Sequence, residues 1–222
     1  MKKLLALLVT IVSFLSIASA QTATVNVGYQ SKQLDFGQVS DARGDAIAGF
    51  DVNAYSFTVG AQTYTHVADK AQKFYRADFL AEYSFVSTLA NLNIGTQYVT
   101  IRNPGKFAVS GHNRPFVSIG KDIFTLKAAY DTENKLTNVE LSSSKTFKLV
   151  NDLGVKPSIF IGNTDDKNSL PHSVKAVSYS NLYEGGSLDL TWKGLSAGPL
   201  VVHDVHGKVN AVAWRAGYLL KF

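Results

Sequence analysis

From residue 22 to the C-terminus, apolar and polar side chains alternate along most of the chain. In "TATVNVGYQ" (22–30), Ala23, Val25, Val27 and Tyr29 stand against Thr24, Asn26, Gly28 and Gln30. "AGFDVNA" (48–54) sets Phe50 and Val52 against Asp51 and Asn53, and "YRADFLAEYSF" (75–85) sets Ala77, Phe79, Ala81 and Tyr83 against Arg76, Asp78, Leu80 and Glu82. "SLDLTWK" (187–193) places Leu188, Leu190 and Trp192 opposite Asp189, Thr191 and Lys193. A period of two is the pattern of a strand with two unlike faces. Breaks rich in Gly, Asn and Asp, among them "VGAQ" (59–62), "NPG" (103–105), "DTENK" (131–135), "EGG" (184–186) and "SAG" (196–198), supply turn chemistry between these runs. Taken together they predict an all-β chain of about twelve strands, near 22–34, 46–59, 62–69, 73–86, 91–103, 115–130, 136–149, 156–163, 172–183, 186–194, 198–206 and 209–222. Ten strands, or eight long ones, fit the same pattern.

Alternation does not say which face is dry. A β-sandwich turns its apolar face inward, whereas a transmembrane barrel turns it out to lipid around a polar interior. The polar face here is strongly charged, with Asp51, Asn53, Arg76, Asp78, Glu82, Gln97, Glu140, Asp189 and Lys193. Aromatic residues gather where the runs end: Tyr29, Phe50, Tyr75, Tyr83, Phe85, Tyr98, Tyr130, Tyr183, Trp192, Trp214 and Phe222. Amphipathic rings suit the two interfaces of a bilayer. Both observations favour a closed antiparallel transmembrane β-barrel, and a secreted soluble all-β binding domain stands as the alternative.

The first twenty residues have a different character. "MKK", an apolar run over Leu4–Ile17 and the small residues Ala18–Ala20 form the three parts of a secretory signal peptide, with cleavage expected before Gln21. The domain expectation is therefore a leader over 1–20 and a single barrel over 21–222. Without Lys2 and Lys3, 20 basic residues face 17 acidic ones, a scattered balance of +3 that gives no reason to expect nucleic acid as a partner. The chain contains no cysteine, so backbone pairing and burial must hold the fold without disulfides.

"AVAWRAGYLLKF" (211–222) ends the chain on a ring, where termini are ordinarily polar and frayed. With the leader and the cysteine-free β body, it resembles the outer-membrane β-barrel proteins of Gram-negative bacteria. In that family the last strand carries an assembly signal, a terminal aromatic preceded by apolar residues at alternating positions. Trp214, Tyr218, Leu220 and Phe222 match it, and Ala216 is a weaker apolar match. The resemblance implies residence in the outer membrane, contact with its lipid and handling by the barrel-assembly machinery. It identifies no subfamily.

For function, the pattern suggests a small porin-like channel for ions or small solutes, lined by Asp51, Asn53, Arg76, Asp78, Glu82, Gln97, Asp189 and Lys193. A non-conducting structural or adhesive barrel is one alternative, in which these same groups pair with one another. An outer-membrane hydrolase is another. His66, His112, His172, His203 and His206 are its candidates, but "SGHN" (110–113) and "PHSV" (171–174) match no hydrolase signature. "HDVH" (203–206) sets its histidines three apart, on opposite faces of a strand. No enzyme, catalytic residue, metal site or cofactor is expected.

Overall fold

The computed structural model describes residues 21–35, 38–41, 44–66, 75–102, 109–166, 179–205 and 209–222; the leader expected over 1–20 lies outside them. The described residues form strands β1 (Gln21–Gln30), β2 (Gln33–Asp35), β3 (Gln38–Asp41), β4 (Asp45–Ala54), β5 (Phe57–His66), β6 (Tyr75–Val86), β7 (Asn91–Arg102) and β8 (Val109–Lys121). They continue with β9 (Phe124–Asp131), β10 (Leu136–Ser144), β11 (Phe147–Lys148), β12 (Leu153–Asp166), β13 (Tyr179–Trp192), β14 (Leu195–Asp204) and β15 (Val209–Lys221).

Twelve of these form a closed antiparallel ring in the order β1, β4–β10, β12–β15. β10 pairs with β12, and the first strand pairs with the last through Thr24↔Lys221 to Gln30↔Arg215. Ala23 and Phe222 exchange backbone hydrogen bonds of 3.3 and 2.9 Å, so the terminal phenylalanine is tied into the seam. β11 lies outside the ring against the first residues of β12, and β2–β3 form a hairpin between β1 and β4. Among the described residues, closure leaves the twelve-stranded ring without a terminal edge strand, as a spanning β structure requires in lipid.

Followed ladder by ladder, the registers displace the path around the ring by about 16 residues on return to β1. For twelve strands, that stagger sets a tilt of about 45° and a backbone radius of about 12 Å. One end of the barrel holds Gln21, Phe222 and the connections 55–56, 87–90, 122–123, 145–152 and 193–194; we call it the turn end. At the opposite end, the loop end, the described residues include the β2–β3 hairpin and the tight β9–β10 turn.

The two faces of the wall are inverted relative to a soluble protein. On the outside, Phe79, Ile159, Leu190 and Trp214 are 49, 67, 57 and 61 % exposed; on the inside, Arg76, Asp78 and Asp189 are 6, 5 and 6 % exposed. Large exposed apolar side chains occur along strand after strand around the ring, far beyond the scattered patches of a soluble surface. This excludes the sandwich arrangement. Outward rings stand at both ends: Phe57, Tyr83, Phe85, Phe124 and Trp192 toward the turn end, and Tyr29, Tyr98, Tyr130 and Trp214 toward the loop end. Trp214 and Phe222 are eight residues apart on one strand, about 20 Å along the axis at this tilt. That separation is comparable to the ~25 Å apolar band of an outer-membrane barrel.

The expected number of strands, twelve, is found, but four of the expected boundaries differ. "VGAQ" is no turn: Gly60 lies inside β5, where a Cβ would stand 2.0 Å from the Asp51 carboxylate oxygen. The chain turns instead at Tyr55 and Ser56, with Tyr55 in the left-handed region at φ 56°. "EGG" is likewise inside β13, because Gly185 gives room to the Phe160 ring and to the Val201 carbonyl. The run expected as one strand over 115–130 is two, β8 and β9, divided at Asp122 with φ 53°. One missed turn and one false break therefore offset each other in the count. "SAG" lies inside β14, and the chain turns before it at Lys193 and Gly194, which both have positive φ, 44° and 88°, the requirement of a two-residue type I′ hairpin.

Candidate functional site

The interior is lined by polar side chains that lie against the wall. On β6, Arg76 donates to both oxygens of Asp78 at 2.7 and 2.8 Å, two residues along the same strand. Gln97, on the adjacent β7, donates to the same carboxylate at 2.8 Å, and Tyr64 presents its ring to Arg76 at 5.2 Å. Arg114 on β8 donates to Asp131 on β9 at 2.8 Å. Asp131 also accepts from the backbone N–H groups of Glu133 and Asn134 at 3.1 and 2.9 Å, so one carboxylate both pairs the arginine and fixes the β9–β10 turn.

Two further sets bridge one intervening strand, and each passes over a glycine. Tyr183 on β13 donates to Glu140 on β10 at 3.0 Å and accepts from Asn138 at 2.8 Å. The strand between them presents Gly162, which pairs with both Glu140 and Tyr183 and whose Cβ would stand 2.3 Å from the Tyr183 ring. Arg215 on β15 donates to Asp189 on β13 at 3.1 and 2.6 Å, and to Ser187 at 2.6 Å. Between those strands lies Gly198, the partner of Arg215, whose Cβ would meet the Leu188 carbonyl at 2.1 Å. A side chain at either glycine would block the bridge. The glycines thus let these polar pairs lie flat against the wall.

On the β10–β15 side, Glu140, Tyr183 and Arg215 border a cavity of about 390 Å³. The register arranges its inward residues in rows. Glu140, Gly162 and Tyr183 form the row nearest the loop end, followed by Ser142, Phe160, Gly185 and Val202. The next row is Ser144, Ser158, Ser187 and Leu200, in which Ser158 and Ser187 share a 2.7 Å hydrogen bond. Last comes Lys156 opposite Asp189, with Arg215 beyond Gly198. On the neighbouring β9, Lys127, the cross-strand partner of Glu140, stands 4.6 Å over the Phe116 ring.

Of the expected lining residues, Arg76, Asp78, Gln97 and Asp189 all take part in these wall pairs. Asp51 faces inward opposite Gly60. Asn53 accepts from Thr58 at 2.6 Å and donates to Thr22 at 3.4 Å, while Glu82 accepts from Ser84 at 3.4 Å. Lys193, expected on the lining, instead occupies the β13–β14 turn, 5.4 Å from the Trp192 ring, and lines no part of the wall. Tyr183, expected at an interface, is fully buried inside, because the false break at "EGG" hid its phase in β13. Arg114, Lys127, Asp131 and Lys156 were not singled out from the sequence, although each sits on the inward phase of its strand.

The terminal residues Trp214, Leu220 and Phe222 are outward and exposed, and Tyr218 shares their phase. Of the histidines, His112 is buried inside with Nδ1 4.0 Å from Asp131, and His203 pairs across strands with Glu184 on the outer face. His172 and His206 lie outside the described residues. Among the described residues, no three His, Asp or Glu side chains group as a metal site would require.

No protein-family model matches the sequence, and no curated protein matches it significantly. Solved structures do. A KdgM porin aligns with a TM-score of 0.55 at 10 % identity, over 90 % of this chain and 99 % of that one. The translocator domain of the autotransporter NalP from Neisseria meningitidis aligns at 0.36 and 10 % identity, covering 96 and 92 % of the two chains. OccAB3 from Acinetobacter baumannii aligns at 0.31 and 11 % identity, over 86 and 68 %. Only the first exceeds 0.5, and at such identities a likeness speaks to fold. With its closed ring and outward apolar band, the chain has the fold of an outer-membrane β-barrel.

Proposed function

We propose that the protein is an outer-membrane channel for small polar solutes, exported by a leader over residues 1–20 and assembled through Trp214, Tyr218, Leu220 and Phe222. The observation that carries this reading is the direction of the interior pairs. Arg76–Asp78, Arg114–Asp131, Arg215–Asp189 and Tyr183–Glu140 each join one strand to itself, to a neighbour or to the next but one. A plugged barrel would instead be tied across its axis. Among the described residues these pairs run along the wall of a barrel whose backbone radius is about 12 Å, and that supports a passage along the axis. The KdgM neighbour, a porin by name, agrees in fold.

Charges of both signs line this passage and the arginines are matched by carboxylates, so weak ionic selectivity is expected. The chain refolded into planar bilayers should give discrete conductance steps. Stable insertion without steps would overturn the channel in favour of a non-conducting structural barrel. Recovery in the soluble periplasmic fraction would overturn the membrane assignment itself.

A further inference from the structure

We infer that the cavity beside β10–β15 is a binding station for a short zwitterionic peptide of three or four residues, an inference that rests on the channel reading. Its two ends carry opposite charges. Glu140 borders it toward the loop end, and Lys156 and Arg215 border it toward the turn end. These groups differ in how far they are already occupied. Arg215 is held by Asp189 through two hydrogen bonds, at 3.1 and 2.6 Å, whereas Lys156 makes no ion pair or hydrogen bond with the described residues. Glu140 accepts from Tyr183 through one oxygen, Oε2. A carboxylate near Lys156 and an ammonium near Glu140 would therefore each meet a side chain with capacity to spare.

The spacing selects the length. Glu140 pairs with Gly162, six residues from Lys156 along β12, about 20 Å of strand. Both charged side chains border the cavity, and their reach toward its centre leaves about 10–14 Å, the extended length of three or four residues. A single amino acid would reach one end only. Between the ends, the surface suits a peptide: Ser142, Ser144 and Ser158 offer hydroxyls to backbone amides, while Phe160, Leu200 and Val202 give apolar area to side chains. A volume of about 390 Å³ holds such a molecule. An anion would be drawn to one end and repelled at the other, and a neutral sugar would leave both charges without a counter-ion.

The test is binding to the chain refolded in detergent micelles, measured by saturation-transfer NMR and low-affinity calorimetry, neither of which needs conduction. The probes are tri-alanine, its N-acetylated form, its C-amidated form and maltose. Tri-alanine should bind in the millimolar range, about tenfold tighter than either capped form, as expected for one charge-assisted contact at each end. Glu140→Gln, which can still accept from Tyr183, should abolish the penalty for N-acetylation alone. Lys156→Gln should abolish the penalty for C-amidation alone. Equal binding of capped and uncapped peptides, tighter binding of maltose, or no binding to a correctly folded barrel would overturn the station. Those results leave the channel intact if conductance steps persist, whereas a silent inserted barrel that binds tri-alanine would overturn the channel and keep the pocket.

Discussion

Replacing Ile159 with arginine separates a membrane wall from an ordinary protein surface. Ile159 points outward from the middle of β12 and is 67 % exposed. It lies six residues from Leu153 at the turn end, about 14 Å along the axis of strands tilted by about 45°. Half of a ~25 Å apolar band is about 12 Å, so the side chain sits close to the bilayer midplane. An arginine there should cost about 2–4 kcal/mol, and at the interface about 0–1 kcal/mol. The control is therefore Leu153→Arg, also outward and 40 % exposed. The assay is reversible denaturant unfolding of the chain folded into lipid vesicles. Ile159→Arg should lower the folded-to-unfolded ratio roughly 30- to 1000-fold, with Leu153→Arg changing it by less than about tenfold. On a water-exposed surface both substitutions would stay within about 0.5 kcal/mol. Equal small effects would refute the lipid-facing wall, whatever the barrel's shape.

Other consequences concern the interior and the seam. Tyr183→Phe removes the hydroxyl that holds Glu140 and Asn138, and should cost about 1–3 kcal/mol in the same unfolding assay because Asn138 is left buried and short of a partner. Gly162→Ala should be destabilising while Gly217→Ala is far milder, since a Cβ would stand 2.3 Å from the Tyr183 ring at the first and no closer than 3.5 Å to any heavy atom at the second. Asp189→Asn takes the carboxylate from between Lys156 and Arg215 and should shift the bilayer reversal potential toward anions, whereas Lys193→Gln, in its turn, should leave it unchanged. Deleting Phe222 removes the residue that exchanges hydrogen bonds with Ala23 and should reduce heat-modifiable barrel in the membrane fraction more than export of the chain.

Much of the barrel was legible because its wall separates two unlike environments. A period of two fixes the phase of every inward and outward residue once one of them is placed, so Arg76, Asp78 and Glu82 were grouped correctly from β6 alone. Turn residues misled where glycine served another purpose. Gly60 makes room for Asp51 and Gly185 for the Phe160 ring, and in a sequence neither differs from a glycine that turns the chain. The real turns at Tyr55 and Asp122 carry residues for which a left-handed backbone is unusual or only tolerated, so they gave a weak signal.

What the pattern of single strands does not contain is the stagger between them. Arg215 and Asp189 are 26 residues apart, on strands that do not touch, and they meet only because Gly198 comes level with both. Tyr183 and Glu140 meet over Gly162 in the same way. Had one ladder slipped by two residues, every side chain would keep its face, and the alternation would read the same. Yet Gly198 would no longer face Arg215, and a bulkier residue would stand in the path of its guanidinium. The arginine would then lie off the wall or go unpaired, and would narrow the passage proposed above. In this barrel, phase places the charges inside, and register together with a few glycines determines whether those charges line a passage or obstruct it.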